Sequence, residues 1–126
     1  MSLVVECLSA YADAVPAVVE REGLRVPELW AREIANGLAV AYRRQRITPA
    51  DEAAFLKARS RLRIDVEVAS SPVTSIRAGT AAAMRYGLTA YDAAYIDLAR
   101  RDGLVLATLD AEMRKAAESA GITLFR

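Results

Sequence analysis

Hydrophobic positions along this chain follow two rhythms. Leu62, Ile64, Val66 and Val68 alternate with Arg63, Asp65 and Glu67, a period of two that predicts a strand. Its polar alternation marks an edge strand with one wet face. Trp30, Ile34, Leu38 and Ala41 or Tyr42 recur at helical spacing instead and predict the buried stripe of an amphipathic helix. Brief β-prone runs stand at Leu3–Val5, Leu24–Val26, Leu104–Ala107 and Ile122–Phe125.

Punctuation between the runs predicts the other helices. One spans about Ala10 to Glu22, with Pro16 as an awkward interior member, and Gly23 ends it. Pro27 suits the first turn of the next. Thr48-Pro49-Ala50-Asp51 carries a capping threonine, a first-turn proline and an acid at N3, and that helix runs to about Ser60. Ser71-Pro72 opens a helix that Gly87 closes. Thr89 caps another, with Asp92 at N3 and Gly103 at its end. Asp110 opens the last and Gly121 closes it. The resulting order, β-α-β-α-α-β-α-α-β-α-β, predicts a three-layer αβα fold of the α/β class, with helices covering both faces of a mostly parallel sheet. No repeat or linker-like tract interrupts residues 1–126, so a single domain is expected.

Composition narrows the chemistry. The 126 residues are 54% hydrophobic, enough for one core. No apolar run approaches the roughly 20 residues of a membrane span, so no membrane partner is expected. The N-terminus has no basic stretch ahead of its apolar residues, so the expected location is cytoplasmic. Cys7 is the single cysteine and histidine is absent. That excludes an internal disulfide, a multi-cysteine zinc site and every histidine-based triad. Catalysis would fall to carboxylates, lysine, tyrosine, serine or threonine. The net charge of +1 does not advertise nucleic-acid binding. Arg43, Arg44 and Arg46 nevertheless cluster, as do Lys57, Arg59, Arg61 and Arg63. Each group reads either as a contact to phosphates or as a solvated helix face.

The carboxylates carry the strongest signal. Leu88 to Ala99, followed by Leu104 to Asp110, reads as a helix opening near one acid and a strand ending on another. In α/β folds ligands gather at such strand ends and helix N-termini. Without histidine, carboxylates gathered there favour a hard cation such as Mg²⁺ or Mn²⁺. Glu33 borders the buried side of its helix, and Asn36 stands three residues on, close enough to orient it. Asp97, five residues past Asp92, is rotated off that face. Taken singly, Asp92 and Asp110 also read as helix caps, and Glu33 as a surface acid. A small α/β binding module with such caps is one alternative.

These segments resemble the PIN-domain family, specifically the VapC-type toxin ribonucleases of bacterial toxin–antitoxin pairs. The resemblance covers roughly residues 10–126. It is carried by Leu88-Thr89-Ala90-Tyr91-Asp92-Ala93-Ala94-Tyr95, by Ala107-Thr108-Leu109-Asp110, and by Val26 to Leu38. It implies a PIN-like fold and an endoribonuclease in which acids ring Mg²⁺ or Mn²⁺. It further implies a VapB-like antitoxin that blocks the site, and a homodimer. Glu33, Asp92 and Asp110 match three of the acids, and Thr108 the hydroxyl that accompanies the last. The front departs from the pattern: Leu3-Val4-Val5-Glu6-Cys7 stands where the family has an apolar run ending in aspartate. Either Glu6 replaces that aspartate, or Ala10 to Val15 matches the family's second helix and the first strand is missing. The altered front leaves open a catalytically impaired remnant that binds antitoxin or RNA without cutting.

Overall fold

The computed structural model describes residues 3–5 and 15–125. In chain order the elements are β1 (Leu3–Val5), α1 (Val15–Glu22), β2 (Leu24–Pro27), α2 (Trp30–Arg43), α3 (Pro49–Ser60), β3 (Ile64–Glu67), α4 (Pro72–Tyr86), α5 (Ala90–Asp102), β4 (Val105–Ala107) and α6 (Ala111–Ser119). The strands form one sheet in the order β3-β2-β1-β4, and each described pairing is parallel. The fold is therefore α/β and three-layered, as expected. Of the strand expected at Ile122–Phe125, only a parallel bridge from Leu124 to Leu106 forms. Residues 10–14 of the first expected helix lie outside the described residues.

Successive residues of a strand face opposite sides of the sheet, and β4 shows it. Leu106 joins a core with Tyr95, Ile96, Leu98, Met113 and Ala117 from α5 and α6. Its neighbour Ala107 joins Val19 of α1 with Leu24 and Val26 of β2. Trp30, at the start of α2, packs against both clusters. α5 lies across β1, β2 and β4 and supplies five fully buried residues.

Three expectations need correction. Pro27 is the last residue of β2, opposite Glu67, and not a helix opener. A strand end tolerates a residue with no N–H, and α2 begins three residues later. The stripe Trp30, Ile34, Leu38 and Tyr42 is not fully buried, because α2 contributes no buried residue. It lines an apolar groove of about 620 Å³ shared with Phe55, Leu56 and Arg59 of α3, which the Tyr42 hydroxyl bridges by donating to Glu52. The edge strand β3 is wetter than its alternation implies, with Val66 46% exposed. Ile64 packs against the α1–β2 core, and one Arg101 nitrogen of α5 donates to both Glu67 carboxylate oxygens at 2.8 Å.

Local signals behave as chemistry requires. Thr48 and Asp51 form a full capping box, Ser71 accepts from the Thr74 N–H, and Gly87 and Gly103 end α4 and α5 in the left-handed region. Gly23 also has positive φ, but there a β-carbon would lie 2.6 Å from Arg63 Nε. That guanidinium donates to the Glu22 carbonyl at 2.6 Å and ties α1 to the approach of β3. Gly103→Ala should therefore cost only left-handed strain, about 1 kcal/mol. Gly23→Ala should cost distinctly more, because Arg63 must also give up its position. Urea unfolding of both variants checks this, and equal costs would mean that Arg63 moves aside freely.

Candidate active site

Parallel strands share one direction, so their C-terminal ends lie along one edge of the sheet. β2 leaves that edge through Glu28 and Leu29 into α2, which carries Glu33 in its first turn. β4 leaves it through Thr108 and Leu109 to Asp110 at the N-cap of α6. α5 runs back toward the start of β4, so its N-terminus with Asp92 returns to the same edge. Three acids from three separate segments are thus delivered to one place.

Each is held differently. Asp110 caps α6, one carboxylate oxygen accepting the Met113 N–H at 2.9 Å. Its own N–H donates to the Thr108 hydroxyl at 3.1 Å, and Thr108 is almost wholly buried. The Thr108 carbonyl accepts from Arg114 at 2.9 Å. The loop that presents Asp110 is therefore fixed from both sides. A carboxylate has about four acceptor positions, so capping leaves Asp110 free to bind something else.

Asp92 is best understood beside Asp51. Both follow a threonine cap by three residues. Asp51 turns back and accepts the Thr48 N–H at 2.8 Å. The Asp92 N–H donates to the Thr89 hydroxyl at 3.2 Å, but among the described residues its carboxylate does not return to the Thr89 N–H. Partial burial instead pushes the Asp92 carboxyl above the usual aspartate range; the Asp110 charge pushes the same way and the Thr89 hydroxyl partly opposes both.

Glu33 is reached by Tyr95, whose hydroxyl donates to Oε1 at 2.6 Å. The Glu33 carboxyl also sits above its usual range, mainly through burial, with the Asp92 charge adding and the Tyr95 bond opposing. Asn36, expected to orient Glu33, is exposed and makes no bond to it among the described residues. Asn36 faces water, while Tyr95 arrives from the core side. A contact 62 positions away leaves no local signal in the sequence.

The remaining candidates lie elsewhere. Asp97 pairs with Arg100 and Arg101, both at 2.9 Å, in an ion-pair group on α5. Arg43, Arg44 and Arg46 are exposed at the far end of α2, about 15 Å from Glu33 at 1.5 Å per residue. Arg59, in the second basic group, lies 3.8 Å over the Phe55 ring. Glu6 lies outside the described residues.

The donor set suits a hard divalent cation by its chemistry. Glu33, Asp92 and Asp110 have no basic partner among the described residues; the Asp92 charge adds to Glu33's affinity for a proton, and the Asp110 charge to that of Asp92. A cation would relieve that repulsion, and carboxylate oxygens are its preferred ligands. No three such side chains among the described residues already enclose an ion-sized space.

The chain matches no protein-family model and no curated protein. It is similar to the crystal structure of PAE2754 from Pyrobaculum aerophilum, with 27% identity and a TM-score of 0.74 over 98% of this chain and 90% of that one. The likeness is one of fold. Among the described residues no helix is long and apolar enough to cross a membrane.

The raised acids predict a pH dependence. A carboxyl whose folded pKa exceeds its unfolded one holds its proton more tightly when folded. Its contribution favours folding below the raised value and is lost as pH climbs through it. Starting from ordinary values of 4.5 for Glu33 and 3.8 for Asp92, metal-free protein should lose stability relative to Glu33→Gln/Asp92→Asn as pH rises from about 4 toward neutrality. Thermal melts of both proteins across that range test it. Parallel curves would show that folding does not raise the two carboxyls.

Proposed function

We propose that this chain is a metal-dependent endoribonuclease of the VapC type in the PIN-domain family, the toxin half of a toxin–antitoxin pair. The observation that carries the reading is the delivery of Glu33, Asp92 and Asp110 to one sheet edge, with no basic partner among the described residues. These residues would hold Mg²⁺ or Mn²⁺, with Glu6 as a further candidate. When bound, such an ion supplies an ionised water and positive charge beside the phosphate. The chain's own part is positional. Thr108 and the α6 N-terminus fix Asp110, the Thr89 cap fixes Asp92, and Tyr95 fixes Glu33. Arg43, Arg44 and Arg46 would contact neighbouring phosphates of an RNA strand.

The expected partners follow from the same reading: RNA as substrate, a VapB-like antitoxin as inhibitor, and a second copy of the chain, in the cytoplasm. The homodimer is supported by the exposed apolar side chains Val73, Ile76 and Met84, at 66%, 68% and 80% along α4, since exposed apolar surface commonly marks a contact site. A catalytically impaired remnant is the second reading. It is favoured by the altered front of the sequence, where Leu3-Val4-Val5-Glu6-Cys7 stands in place of an apolar run ending in aspartate.

Mn²⁺ calorimetry and RNA cleavage on wild type, Asp92→Asn and Glu6→Gln separate these readings. The nuclease reading expects Mn²⁺ binding and cleavage in wild type, with affinity down by about 100-fold in Asp92→Asn. Parallel loss in Glu6→Gln would add Glu6 to the site. Absence of both Mn²⁺ binding and cleavage in wild type would favour the impaired remnant, and cleavage that ignores Asp92→Asn would overturn the assignment.

A further inference from the structure

We propose that Tyr95 is a positioning residue that sets the geometry of Glu33 toward a divalent cation; this rests on the metal-site reading above. Tyr95 and Asp92 stand three residues apart on α5, so they share a helix face one turn apart. Asp92 is in the first turn. Tyr95, one turn deeper, has no exposed surface and packs in the cluster that also receives Leu29 and Trp30 at the start of α2. From there its hydroxyl reaches Glu33 Oε1 at 2.6 Å. One helix therefore contributes a carboxylate of its own and fixes a second that is mounted on another helix.

That bond matters because of what α2 lacks. With no fully buried residue, α2 does little to immobilise a long glutamate side chain, which would otherwise lose rotamer freedom on binding a cation. A short bond from a neutral hydroxyl to a carboxylate is among the stronger kinds. It occupies acceptor capacity on Oε1 and leaves Oε2 unengaged among the described residues. It also adds no positive charge, so it orients Glu33 without competing with a cation, which an arginine or lysine in the same place would do.

The test is a double-mutant cycle on Mn²⁺ binding, read by calorimetry, with thermal melts of the metal-free proteins beside it. Tyr95→Phe keeps the buried ring and removes only the hydroxyl. Positioning predicts Mn²⁺ affinity about tenfold weaker in Tyr95→Phe. In the Glu33→Gln background the same change should have less than about twofold effect. A merely structural role predicts a lower melting temperature with unchanged Mn²⁺ affinity, and that result overturns the proposal. Equal losses in both backgrounds overturn it too, because Tyr95 would then act other than through Glu33. Failure of wild type itself to bind Mn²⁺ would remove the metal site and the proposal with it, and is distinguished by the wild-type titration alone.

Discussion

Parallel pairing of short strands is the constraint on which everything else depends. β1 lies between β2 and β4 in one direction, and β3 continues that direction on the far side of β2. Strands of three or four residues offer little area of their own. Their stability comes from the helices that return the chain across the sheet, above all α5 with its five buried residues. The same connection that builds the core sends each strand's end and each returning helix's start to one edge. The acidic cluster is a consequence of that geometry.

Helix capping and ligand binding compete for the same groups, and this chain holds both outcomes. Asp51 spends its carboxylate on closing its own helix start. Asp92, in the same local pattern, does not close onto the Thr89 N–H among the described residues, and it feels the charge of Asp110. Asp110 lies between the two, capping α6 with one oxygen. A partly buried carboxylate that has the Thr89 hydroxyl for support but a like charge for a neighbour reduces stability unless something else relieves it. This contrast weighs more than the presence of acids alone.

The sequence revealed those parts of the structure that depend on near neighbours. Thr48 with Asp51, Ser71 with Pro72, and the glycines at 87 and 103 mark their helices because the bonds involved span three or four residues. The α/β class and the candidates Glu33, Asp92 and Asp110 followed from the order of such elements and the motifs at their ends. What stayed hidden were contacts between distant segments. Tyr95 looked like core because it is core, and only the fold brings its hydroxyl to Glu33. The stripe on α2 was visible, but its spacing could not say whether it faces the sheet or an open groove against α3. Pro27 was misplaced because proline suits a helix start and a strand end equally.

The half-buried state of α2 has a consequence for how the molecule opens. Neither α2 nor α3 contributes a fully buried residue, so parting them from the body exposes far less apolar surface than dismantling α5. Their amides should exchange with solvent through a local opening, well before global unfolding. Glu33 rides on that opening unit, whereas Asp92 and Asp110 belong to the slow-exchanging body. A ligand shared by all three would bridge two units of unequal stability, and its binding would appear as slowed exchange along the whole length of α2, far beyond the residues it touches.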